Sequence, residues 1–93
     1  MRKNDEFFKF KEETYKIYRE KMIGKKYRHF KGNIYKVLDI AVHTENYGIL
    51  VIYCGVGKEE RVYARPISMF LSEVDKKKYP DVTQKMRFEE VEE

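Results

Sequence analysis

The chain offers little for covalent or metal chemistry. It has one cysteine, Cys54, two histidines, His29 and His43, and no tryptophan. A lone thiol cannot form an intramolecular disulfide, and two imidazoles without a cysteine pair fall short of the four ligands of a structural zinc site. No metal and no cofactor are therefore expected. Long apolar runs are missing as well. The opening MRKNDEFFKF has no stretch suited to a signal peptide, and no segment reaches the ~20 apolar residues of a membrane-spanning helix. A reducing cytoplasm is the default location, with no membrane partner. Prolines number two and glycines five, with no repeat and no low-complexity linker. Ninety-three residues then suggest one small domain, 1–93, too shallow for a large enclosed active site.

Charge and aromatic rings are what the chain does have. Charged residues make up 39% and aromatics 15%, and the formal net charge is +4. That charge is uneven: residues 25–36 carry five Lys/Arg and no Asp/Glu, whereas residues 37–93 carry eight against eleven. The tail RFEEVEE is acidic. A basic patch favours acidic partners, although a mixed solvated surface accounts for much of it. In KKYRHFKGNIYKV, a strand would place Tyr27, His29 and Lys31 on one face, a mixture of rings and cations found in single-strand binders. Neither a glycine-rich phosphate loop nor an RNA-recognition signature accompanies it. Nucleic-acid binding through residues 25–36 is thus a secondary reading, expected to be weak and electrostatic.

Residues 5–22 read as a helix, with no Gly or Pro and with Gly24 as a stop. Phe7, Phe10, Thr14, Ile17 and Tyr18 form one stripe, and Phe8, Tyr15 and Met22 a second. Docking through Phe7, Phe10 and Ile17 is expected, on the sheet or on a second copy. The pattern then turns to short strands across 24–91: residues 27–31, a tight turn at Gly32-Asn33, then 34–43. In 34–43, alternation places Ile34, Leu38, Ile40 and Val42 on one face and Tyr35, Val37 and Ala41 on the other. Strand 49–54 is apolar on both faces and needs cover on both, one by curling of the sheet and one by the helix. Strand 61–65 ends at Pro66, ISMF makes one helical turn, and 86–91 is a last strand. The result is mainly β, a small strongly bent antiparallel sheet or barrel with an N-terminal helix.

These residues carry a resemblance. HFKG at 29–32, AxHTE at 41–45 and RPxxMF at 65–70, in that order, are similar to a family of short bacterial proteins known as domain of unknown function 1653. The likeness covers roughly residues 24–88 and implies an SH3-like β-barrel roll with no established activity. Two positions depart from the family's pattern: Tyr63-Ala64 stands before Arg65-Pro66 where Trp is frequent, and Cys54 follows Tyr53 where a basic residue is frequent.

Within this frame His43 and Glu45 would project to one side of a continuing strand, where imidazole and carboxylate could share a proton. Arg65, held extended by the following proline, could clamp an anion, or could form an internal salt bridge. The leading expectation is a non-catalytic binding module for an acidic ligand or protein partner. Its contact surface would draw on Tyr27, His29, Lys31, His43, Glu45 and Arg65. The alternative is a small enzyme that uses His43 and Glu45 with Arg65 as anion clamp. Cys54, ending an apolar strand, is expected to be a buried and slow-reacting thiol.

Overall fold

Gly24 separates a helix from a sheet in the structure, a computed structural model that describes the backbone of residues 5–92 and the side chains of residues 12–92. Helix α1 spans Asp5–Met22. Its described apolar face is Tyr15, Tyr18 and Met22, one side of the helix at three- and four-residue spacing. Met22 is 3% exposed. Of the expected docking stripe, Phe7 and Phe10 lie outside the described side chains, and Ile17 is 49% exposed and so does not dock. The cause is Arg19. Its Nη1 donates to Asp39 Oδ1 at 2.6 Å, to the Ile40 carbonyl at 3.1 Å and to Tyr15 Oη at 3.1 Å. That anchor sets the rotation of α1 and turns Ile17 outward. Gly24, at φ 85°, then reverses the chain, and its N–H donates to the Val37 carbonyl at 2.9 Å.

Five strands follow: β1 Lys26–His29, β2 Ile34–Val42, β3 Ile49–Gly55, β4 Lys58–Pro66 and β5 Phe88–Val91, with helix α2 at Ile67–Phe70 between the last two. They form one antiparallel sheet in the order β4-β3-β2-β1-β5. The fold is therefore mainly β, a small roll with an added N-terminal helix. Its edge strands β4 and β5 are not hydrogen-bonded to each other among the described residues, so side chains rather than a backbone ladder fill the gap. The expected arm at 25–36 is half right. It forms a hairpin with β2, yet β1 also pairs along its other edge with β5, which makes it an interior strand.

Strand β2 corrects the simple alternation. A bulge between Val37 and Asp39 shifts its register against β3. Val37 and Ile40 are both buried, at 0% and 1%, while Leu38 and Val42 are exposed. One extra residue changes which parity faces inward. On β3, Ile49, Val51 and Tyr53 join this core. Helix α1 packs from Tyr15 onward against that same cluster rather than capping the opposite face of β3, where Leu50, Ile52 and Cys54 stand. Cys54 is a free, buried thiol.

Aromatic rings fill the roll. Phe70, fully buried on α2, stacks on Phe88 with centroids 4.0 Å apart. Tyr27 and Tyr53 meet Phe70 edge-on at 5.2 and 5.4 Å. Each such buried side chain contributes about 1.5–3 kcal/mol. The pairing Phe88↔His29 brings this stack to the tip of β1.

Candidate functional site

Beyond His29 the chain turns through residues 30–33. The His29 carbonyl accepts from Gly32 N–H at 2.7 Å, and His29 N–H donates to the Asn33 carbonyl at 2.9 Å. Gly32 sits at φ 112°, a conformation that side-chain-bearing residues rarely adopt. The turn also fixes the imidazole. Lys31 N–H donates to His29 Nδ1 at 3.1 Å, so in the neutral ring the proton is on Nε2. The ring stacks on Phe30 at 4.4 Å and meets Phe88 edge-on at 4.9 Å.

Around this imidazole the roll gathers cations from four separate segments. Arg65 comes from β4; its Nε donates to Tyr53 Oη at 3.0 Å, and its guanidinium carbon lies 5.6 Å from the Phe88 ring centre. Arg87 precedes β5, and its Nε donates to Ser72 Oγ at 3.1 Å. Lys31 and Lys78 each place Nζ 5.6 Å from the centre of the Tyr79 ring, which in turn leans on Phe30 at 4.9 Å. Together they line an open cleft of about 310 Å³. One carboxylate, Asp75, also lines it, but its Oδ1 accepts from the backbone N–H groups of Lys77 and Lys78 at 3.1 and 3.4 Å. The ion pairs among the described residues are Arg19–Asp39 and Lys25–Glu90, neither in the cleft. Each arginine is thus oriented through Nε, and its two terminal nitrogens pair with no carboxylate among the described residues. The cost of this concentration falls on His29: burial first, then Arg65, Arg87 and Lys31, hold its pKa below the ordinary value.

The six residues singled out in the sequence therefore separate. His29, Lys31 and Arg65 share the cleft. Tyr27 lies in the core at 8% exposure, and burial, with Glu90 nearby, pushes its phenol pKa up. His43 and Glu45 lie in the β2–β3 loop and do not line the cleft. There His43 Nδ1 accepts from Glu45 N–H at 3.0 Å, and the His43 carbonyl accepts from Tyr47 N–H at 2.7 Å. These bonds shape a loop. Arg87, Lys78 and Tyr79 were not anticipated. The runs KKKY and RF mark them in the sequence, but only the fold brings them to His29.

A wider groove, about 900 Å³, runs between the β1–β2 turn and the β3–β4 hairpin, over Tyr35 and Tyr63. Its charged residues, Lys58, Glu60 and Arg61, are of mixed sign, and it contains none of His29, Lys31 and Arg65. Size favours this groove, but the excess of cations, four against the single carboxylate Asp75, favours the smaller cleft as a recognition site.

Fold and cleft together define a small antiparallel β roll with a cationic pocket at the tip of its first hairpin. A family model described as "Protein of unknown function (DUF1653)" matches residues 25–90, and the chain belongs to that family. Helix α1 precedes the matched residues. A crystal structure of a DUF1653 protein from Bordetella bronchiseptica is similar at 22% identity and a TM-score of 0.60, covering 78% of this chain and 91% of that one. At that identity the likeness concerns the fold. Among curated proteins none matches.

Proposed function

We propose that this chain is a small, non-catalytic binding module of the bacterial cytoplasm that recognises an acidic ligand, or an acidic group on a protein partner, through the His29 cleft. One observation carries the reading: Arg65 and Arg87, each oriented through Nε, line one cleft with Lys31 and Lys78, and none of the four has an ion-pair partner among the described residues. Guanidinium forks held in this way are suited to oxyanions. The enzyme alternative needs His43 and Glu45 beside Arg65, and it draws no support from a loop in which His43 is bonded to Glu45 N–H.

The test is a backbone NMR titration with citrate as a general polyanionic probe. Resonances of residues 29–32, Arg65 and Arg87 are expected to move together and to saturate, and Arg65→Gln should weaken the effect. Shifts centred on residues 43–48 or on the wider groove would overturn the assignment, as would none at all.

A further inference from the structure

We infer that the group this cleft takes is a phosphate monoester, a ligand class that rests on the binding-module reading just given. The first argument is charge. Lys31, Arg65, Lys78 and Arg87 face one carboxylate, Asp75, which is engaged by the backbone. A single carboxylate ligand would leave this site strongly positive, whereas a phosphate monoester brings about −1.5 to −2 near neutral pH.

The second argument is the number of oxygens. A carboxylate presents two in one plane and satisfies one guanidinium fork side-on. Here two guanidiniums enter from different elements, Arg65 from β4 and Arg87 from the segment before β5, and two ammonium groups come from other loops. Donors converging from several directions match three tetrahedrally disposed oxygens better than two coplanar ones.

The third argument is His29. Its Nδ1 is occupied as an acceptor from Lys31 N–H, so the neutral ring has Nε2–H to donate. Burial first, and the surrounding cations after it, hold its pKa below the ordinary value, so the neutral ring is favoured and contributes a donor without adding charge to a crowded site. Beside these donors, Phe30 and Tyr79 line the same cleft. About 310 Å³ accommodates a phosphate together with part of the group that bears it.

The experiment titrates the full chain with inorganic phosphate, phenyl phosphate and succinate, read by NMR at His29, Arg65 and Arg87. Both phosphates should bind saturably and more tightly than succinate. Affinity for phenyl phosphate should fall as pH drops through about 6, where a monoester loses its second charge. Arg65→Lys keeps the charge but removes the fork, and should weaken binding about tenfold. Lys78→Gln, at an exposed site, gives a second readout if the arginine variant fails to fold. A phosphoserine hexapeptide, compared with phenyl phosphate, distinguishes the source: tighter peptide binding assigns the monoester to a protein segment, and weaker binding assigns it to a small molecule. Succinate binding as tightly as phosphate would overturn the phosphate inference and leave the acidic-ligand reading standing. Saturable binding of none of the anions would overturn both.

Discussion

His29 combines a packing role and an electrostatic one. Its ring is clamped between Phe30 and Phe88, and its pKa lies below the ordinary 6.5 because burial and three cations oppose a fourth positive charge. The consequence for stability has a definite sign. As pH falls through 6.5 the unfolded chain takes up the proton first, so the native state loses stability until the folded pKa is passed, and the loss then levels off. Above 6.5 the ring is neutral in both states and contributes no slope. Urea midpoints measured between pH 8 and pH 5 should therefore decline more steeply for the parent than for His29→Gln. Equal slopes would show that another group is responsible. The sequence displayed His29 and Lys31 as candidates because they share a strand face with Tyr27 in a run of rings and cations, and Arg65 because the following proline holds it extended. Arg87 gave no such sign, since its place depends on β5 lying against β1.

At the scale of elements, α1 shows how a stripe is chosen. The sequence offers two apolar stripes, and helical periodicity cannot rank them. The bonds from Arg19 to Asp39 and Ile40 do so, by fixing how the helix is rotated over the β2 bulge. Asp39 suits this anchoring role, because the Ile40 N–H, then Arg19, hold its carboxyl below the usual range and the contact persists in mild acid. Met22→Ala, at a site 3% exposed, should cost about 2–5 kcal/mol in urea unfolding. Ile17→Ala, at a site 49% exposed, should stay within about 0.5 kcal/mol of the parent. The opposite ranking would mean that α1 presents its other side to the sheet.

At the scale of the whole molecule, the separation of charge along the chain is partly offset by the fold. The basic run at 25–36 lies beside the acidic tail: Arg28 is opposite Glu89 across β1 and β5, and Lys25 reaches Glu90 at 4.0 Å. The densest positive charge is then the cleft, which gathers Lys31, Arg65, Lys78 and Arg87. Single-stranded RNA and duplex DNA at near-physiological salt should therefore bind no more tightly than the non-specific range of about 10⁻⁴–10⁻⁶ M. Glu89→Gln with Glu90→Gln should strengthen that binding and steepen its salt dependence, as anisotropy titrations would read. Tight or sequence-selective binding by the parent would contradict this account.

Local pattern by itself determined the helix up to Gly24, the succession of short strands, the turn at Gly32 and the helical turn after Pro66. Each follows from residue spacing or from a residue with restricted or unusual backbone freedom. Tertiary structure alone decided the rest. The β2 bulge reassigned Leu38 and Ile40, because one extra residue reverses parity in a way that alternation cannot reveal. The site was decided in the same manner. Its cations stand at positions 31, 65, 78 and 87, and what makes them one pocket is a sheet that brings β4, β5 and the Tyr79 loop to the tip of β1. Proximity between residues so far apart in the chain is a property of the folded roll, and a linear pattern carries no record of it.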